Sequence, residues 1–359
     1  VTAERTPRGP IARIGDRPVG DGAPVYVIAE LSGNHNGDLG RALAIVEAAA
    51  EAGADAIKLQ TYTASSLTID SDAPPFLIGG GTPWDGRKLY ELYEEAATPW
   101  AWTERLFEHG RGLGLDVFST PFDADAVTLL EPLDPPAHKI ASFELVDHGL
   151  LRTVASTGRP VILSTGMATE DEIDEAVAVL RSEGAGDLVL LRCVSAYPAR
   201  PESMDLRTIA DMAARWEVPI GLSDHTLSNV ASITAVALGA CAVEKHLTLD
   251  RTDPGPDSAF SLEPHELAAL VADLRTTQAA LGSVRYGPTE EEAPSRVFRR
   301  SLFIVDDVAA GEELTEANVR AIRPGDGLAP RELPAILGRR AARDLPAGTP
   351  LAWDALEPT

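Results

Sequence analysis

Eight short β-like runs, spaced by helical patterns or long connections, occupy the first 280 or so residues of this 359-residue chain. They lie at 25–30 (VYVIAE), 55–60 (DAIKLQ), 115–119 (LDVFS), 138–142 (HKIAS), 160–164 (PVILS), 188–195 (LVLLRCVS), 219–223 (PIGLS) and 241–246 (CAVEKH). Apolar residues recur at helical spacing over 39–52, 99–112, 169–183, 203–216 and 264–281, and several of these stretches open at Ser, Thr or Pro. Eight strands alternating with helices is the count of a (β/α)8 TIM barrel, so the expected fold is α/β, with the barrel over 1–282.

After residue 282 the pattern changes. Residues 283–299 are rich in Gly, Pro and charge and read as a linker. Strand-like pieces at 301–305, 319–322 and 340–342, punctuated by Gly311, Gly325, Gly338 and Gly348, then predict a small β-rich domain over 300–359. The stretch 62–98 is long for a strand-to-helix connection and carries Pro74-Pro75, three consecutive glycines and Trp84. A loop of that size on a barrel reads as an excursion facing the substrate.

In every repeat the polar residues gather where the strand ends: Glu30, Lys58 with Gln60, Ser119-Thr120, Lys139 with Ser142, Ser164-Thr165, Ser195, Ser223-Asp224-His225 and Glu244-Lys245-His246. The C-terminal strand ends of a barrel open onto one face, so these residues are expected to converge on one pocket. His225 and His246 end the seventh and eighth runs, neighbours in a closed barrel. Two adjacent imidazoles suit a divalent metal with positions left for water and substrate, with Asp224 and Glu244 beside them.

Only four of the 31 basic residues are lysine, and three of them, Lys58, Lys139 and Lys245, sit in or at the end of strand-like runs. A strand lysine is costly to bury without an anionic partner, so phosphate or carboxylate contact is the expected role. Lys58 and Lys139 with the hydroxyls of Thr120, Ser142 and Ser164 suit a phosphate next to a carboxylate. Neither a P-loop nor a dinucleotide fingerprint is present. A formal net charge of -24 argues against binding nucleic acid or an anionic membrane, both of which need a basic face. No apolar run approaches membrane-spanning length, residues 1–18 are polar, and the two cysteines, Cys193 and Cys241, lack metal or redox spacing. A cytoplasmic protein with buried, reduced thiols is expected.

The segments IAELSGNHNG (28–37), IKLQTY (57–62), FSTPFD (118–123), HKIAS, ILSTGMA (162–168), GLSDHT (221–226), VEKHLTLD (243–250) and GPDSAFSLEP (255–264) resemble, in order, the sialic acid synthase (N-acetylneuraminate synthase) family. The tail resembles that family's antifreeze-like SAF domain. ELSGNHNG, the insertion at 83–102, DSAFSLEP and FRRSLF (298–303) are most similar to the pseudaminic acid synthase branch. The resemblance implies an enzyme that condenses phosphoenolpyruvate with an amino-sugar aldehyde, 2,4-diacetamido-2,4,6-trideoxy-L-altrose in this branch, and water. The products are a nonulosonic acid and phosphate.

It further implies that Lys58, Gln60, Thr120, Lys139, Ser142 and Ser164 hold phosphoenolpyruvate. Glu30, Glu144, Tyr197 and Asp257 would face the sugar, and His225 with His246 would bind manganese, with magnesium or cobalt as alternatives. Either Glu30 or Glu244 would move protons. In a homodimer, Arg323 would reach the partner's site from the SAF domain. Ser195 stands where the sialic acid branch has asparagine for a phosphate contact, and Ser228-Asn229 replaces a glycine. The aromatic residues Trp84, Tyr90, Trp100 and Trp102 are expected to cover a deoxy sugar. The competing readings are a synthase for N-acetylneuraminate or legionaminate, a barrel acting on a phosphorylated sugar, and a non-enzymatic carbohydrate- or ice-binding protein.

Overall fold

A computed structural model describes residues 9–358 of the chain. Residues 1–8, part of the polar stretch 1–18, and residue 359 at the end of the expected SAF domain lie outside the described residues. The chain divides into two compact units, one ending at Gly282 and the other beginning at Ser283.

The first unit opens with a hairpin of β1 (Ile11–Ile14) and β2 (Arg17–Gly20). Its turn is Gly15-Asp16, with Gly15 at φ 55°, a conformation glycine adopts at little cost. Eight parallel strands follow: β3 (Tyr26–Glu30), β4 (Ala56–Thr61), β5 (Asp116–Pro121), β6 (His138–Ile140), β7 (Val161–Ser164), β8 (Leu188–Cys193), β9 (Ile220–Ser223) and β10 (Ala242–His246). They pair in chain order, and β10 pairs back onto β3, so the sheet closes into a barrel. The expected (β/α)8 class and the separate small C-terminal unit are both present.

Side chains alternate across a strand with a period of two, and that alternation sorts the barrel's residues into two cores. Val27, Ala29, Ile57, Leu59, Val117, Ile140, Leu163, Leu190, Leu222 and Val243 point outward and pack under the helices. Tyr26, Ile28, Ala56, Phe118, Ile162, Val189, Leu191 and Ala242 fill the lumen. Ala12, Ile14 and Val19 of the hairpin belong to the lumen core, so β1 and β2 plug the N-terminal mouth. Burying the Val, Ile, Leu and Phe side chains among these stabilises the fold by about 1.5–3 kcal/mol each. With the lower end filled, the lumen is left open only at the C-terminal strand ends.

Helix starts are fixed close to those ends. Asp38 and Asp123 accept from the backbone N–H groups of Arg41 and Ala126, and Thr169 forms a reciprocal capping box with Glu172. No helix among the described residues is long and apolar enough to cross a membrane.

The second unit pairs β11 (Ser301–Ile304) antiparallel with β12 (Val319–Ile322). Leu302, Ile304, Val308, Leu314, Ile336 and Leu345 lie in a core of its own. The strand expected at 340–342 is absent; Arg340 and Ala341 make only isolated bridges, to Glu313 and Leu356.

Candidate active site

Continuing the inward positions past the apolar layer gives Glu30, Lys58, Gln60, Thr120, Lys139, Ser164 and Glu244 in the upper lumen. Lys58 is its centre. Its Nζ lies 2.8 Å from Glu30 Oε2 and 3.3 Å from Glu244 Oε1, and donates to Thr120 Oγ1 at 3.3 Å. Gln60 donates to Glu30 Oε1 at 3.1 Å. All three charged groups are buried, and the two carboxyls respond differently. Burial raises the Glu30 pKa, and Glu244 adds to that rise against the pull of Lys58. At Glu244 burial is outweighed by Lys139, Lys58 and His225, which hold its carboxyl below the ordinary range. Two carboxyls pushed in opposite directions around one ammonium are the pattern that suits acid–base chemistry.

Lys139 donates to Ser164 Oγ at 2.7 Å and to the Ile140 carbonyl at 2.8 Å. Burial pushes its pKa down to about 8. Nearby, Ser142 Oγ accepts from the Gly166 N–H at 3.0 Å. A Cβ on Gly166 would come within 2.3 Å of Ser195 Oγ and 2.8 Å of Ser142 Oγ, so only glycine lets the two hydroxyls close on this backbone. An ammonium, three serines and a backbone turn in one place make an anion cradle.

The two imidazoles stand side by side, with ring centroids 5.3 Å apart. His225 Nδ1 donates to the Val194 carbonyl at 2.9 Å, which leaves the lone pair on Nε2. His246 Nδ1 is buried without a hydrogen-bond partner, and burial together with His225 drives the pKa of this ring well below the usual value. Two adjacent imidazoles, one with an orphaned ring nitrogen and a pKa held well below the usual value, are a donor set for a divalent ion. They are two ligands only: no group of three or more His, Cys, Asp or Glu forms a metal-type cluster among the described residues.

Above the lumen, two distant segments lock together. Ser32 Oγ donates to Asp257 Oδ2, the Gly33 N–H reaches the same oxygen at 3.2 Å, and Asn34 Nδ2 bonds the Leu247 carbonyl and Ser261 Oγ, both at 2.9 Å. Trp84 of the excursion donates its indole N–H to the Pro256 carbonyl at 2.9 Å. Its ring lies 5.7 Å from Tyr197, which in turn lies 4.4 Å from His225. Trp84, Thr82, Ser195, Tyr197, Arg200 and Thr226 are among the lining of a cavity of about 700 Å³ beside the imidazoles. Glu144, on the turn after β6, is pushed up to about 7 by burial, and its Oε2 has no hydrogen-bond partner.

This geometry meets an independent observation: the NeuB family model matches residues 45–286, and the SAF domain model matches 299–357. The chain belongs to the NeuB family. Among its relatives are the pseudaminic acid synthases of Campylobacter jejuni (strain 81-176) and Helicobacter pylori. Each is 44% identical, covering 91% of this chain and 95% of the relative in the first case, 93% and 98% in the second. The solved structure of N-acetylneuraminic acid synthetase from Leptospira borgpetersenii, in complex with citrate, matches with a TM-score of 0.71 at 32% identity. That match covers 80% of this chain and 95% of the other.

Several expectations for this NeuB-family chain need correction. Lys245 does not face the lumen; it follows inward Glu244, points outward, and pairs with Asp224 at 3.1 Å. Asp224 is therefore not beside the imidazoles as a carboxylate partner. Ser119 also turns outward, sharing a hydrogen bond with Thr61, and Thr165 is spent on the Leu191 carbonyl. Trp100 donates to the Tyr62 carbonyl and Trp102 packs edge-on against His35, so of the aromatic residues singled out only Trp84 lines the cavity. Arg323 is exposed in the second unit.

Four residues were missed. Ser32, Phe260 and Gly166 enter the sequence analysis only as parts of motifs; in the structure the Phe260 ring lies 5.0 Å from Tyr197 and 5.1 Å from His246. Cys193 was read as an inert core thiol. It faces the lumen 4.0 Å from His225 Nδ1, and although burial opposes ionisation, the imidazole brings the thiol down to about 7.

Proposed function

We propose that this chain is a pseudaminic acid synthase, joining phosphoenolpyruvate to 2,4-diacetamido-2,4,6-trideoxy-L-altrose with consumption of water and release of phosphate. The observation that carries the reading is Lys58 held between Glu30, whose pKa burial raises, and Glu244, whose carboxyl the neighbouring cations hold below the ordinary range, beside the anion cradle and the imidazole pair.

Lys139, Ser164, Ser142 and the Gly166 N–H take the phosphate and carboxylate of phosphoenolpyruvate, with Lys58, Gln60 and Thr120 completing its binding and Ser195 beside them. C3 of the enol attacks the aldehyde carbon, a C–C bond forms, and the electron pair moves to the aldehyde oxygen, which Glu30 protonates. Water adds to C2 with one proton passing to Glu244; the C2–O bond to phosphate then breaks, the added oxygen becomes the keto group, and its second proton leaves with the phosphate. Lys58, in contact with both carboxyls, returns the proton between them. His225 and His246 would hold a divalent ion, manganese with magnesium or cobalt as alternatives, whose chemistry when bound is Lewis-acid polarisation.

Glu144, Tyr197 and Asp257 face the sugar, and Trp84 covers its deoxy end. Arg323 acts on the site of the partner in a homodimer. Phosphoenolpyruvate supplied with a panel of aldehyde sugars tests the proposal. Equal yields of phosphate and a nine-carbon acid are expected with the diacetamido sugar, with lower kcat/KM for N-acetylmannosamine. A higher value for N-acetylmannosamine would assign the chain to the neuraminate branch instead.

A further inference from the structure

The outward face of the barrel behind the two imidazoles carries a buried ion pair that the reaction does not use. β9 and β10 run in register with Glu244 opposite Ser223, and the Asp224 N–H donates to the Glu244 carbonyl at 3.0 Å. Continuing that register sets Lys245 beside Asp224 and His246 beside His225. The two rungs face opposite ways, ions outward and imidazoles inward. Lys245 Nζ meets Asp224 Oδ2 at 3.1 Å and donates to the Thr226 carbonyl. Asp224 and Thr226 are the residues on either side of His225, and Lys245 immediately precedes His246. One ammonium therefore grips both flanks of one histidine from the residue next to the other.

The grip is stiff. The side chains of Lys245 and Asp224 are 2% and 0% exposed. Asp224 accepts further from the Thr226 N–H at 2.8 Å and from Ser232 Oγ at 2.6 Å, so none of its contacts is lost to water. Burying two charges is expensive, and an apolar pair of the same volume would often serve stability as well. What an apolar pair would not do is fix the turn that carries His225 relative to the strand that carries His246.

We propose that Lys245 and Asp224 are positioning residues that set the spacing of His225 and His246 for a divalent ion. This rests on the reading of the imidazole pair as a metal site. The role is indirect: neither residue touches the ion or the substrate.

The test is a calorimetric Mn²⁺ titration of the purified full chain, with melting and steady-state kinetics alongside. Lys245→Met leaves Asp224 buried without a counter-charge, so the decisive protein is Lys245→Met with Asp224→Asn, which neutralises both at similar volume. The double variant is expected to stay folded and to bind Mn²⁺ at least about tenfold more weakly, the scale typical for losing an outer partner of a metal ligand. Its kcat falls while KM for phosphoenolpyruvate, bound on other strands, stays put. A folded double variant with Mn²⁺ affinity within twofold of wild type overturns the clamp alone. Wild-type protein that binds no Mn²⁺ overturns the two-imidazole site and the clamp with it.

Discussion

Lys139 carries a charge against its own burial. Its pKa of about 8 places the loss of that charge within the working range of a pH profile, and the direction of the effect follows from which form binds. Phosphoenolpyruvate is an anion, so the protonated lysine is the binding form; kcat/KM for phosphoenolpyruvate should be level below about pH 8 and decline above it. Lys139→Met should raise KM for phosphoenolpyruvate by about tenfold or more and abolish that decline, because losing a charge-assisted bond costs about 1.5–3 kcal/mol. A variant with an unchanged alkaline limb would assign the titration to another group. Lys58, Lys139 and Lys245 look alike as isolated strand lysines, and all three sit among the polar strand ends expected to converge on one pocket, although only Lys58 and Lys139 are expected to hold phosphoenolpyruvate. Counting in twos from the outward apolar residues separates them, since Ile57 and Ile140 place Lys58 and Lys139 inward while Val243 places Lys245 outward. That information was in the sequence and went unused for Lys245. The match of Gly166 to two serines just beyond the ends of β6 and β8 was not, because it depends on a close approach that no spacing encodes.

The barrel strands were legible because each is a short apolar run ending in polar residues. The hairpin of β1 and β2 was not: its strands are four residues long, interrupted by Arg13, Arg17 and Pro18, and bury only Ala12, Ile14, Val19 and Gly20. Helices at 124–130, 148–155 and 230–237 also escaped explicit reading, being seven or eight residues each. Within the excursion 62–98 the important fact is a single contact, Trp84 on the Pro256 carbonyl, which brings an aromatic face to the cavity. Trp84→Ala should move the ratio of kcat/KM for the diacetamido sugar over N-acetylmannosamine toward the latter by about tenfold, the range one apolar contact gives, while KM for phosphoenolpyruvate holds. An unchanged ratio would remove Trp84 from sugar selection.

A molecule with a net charge of -24 that binds an anionic substrate must invert its own field locally. Lys58 and Lys139, buried in the lumen among low-dielectric walls, can do so. The second unit adds an exposed arginine, Arg323, which the proposed homodimer would bring to the partner's sugar. Arg323→Ala should lose sugar turnover yet keep phosphoenolpyruvate binding. Mixing it with His225→Ala should recover part of the activity, since one site then has an intact barrel and an intact arginine. No recovery despite verified subunit exchange would count against donation between subunits. The most direct measurement for the whole account is the reaction of phosphoenolpyruvate and the diacetamido sugar in H₂¹⁸O, with the released phosphate weighed by mass spectrometry. Attack of water at C2 with C–O cleavage predicts phosphate free of ¹⁸O, formed in step with a nine-carbon acid and only when sugar is present. Labelled phosphate, or phosphate released without sugar, would contradict it.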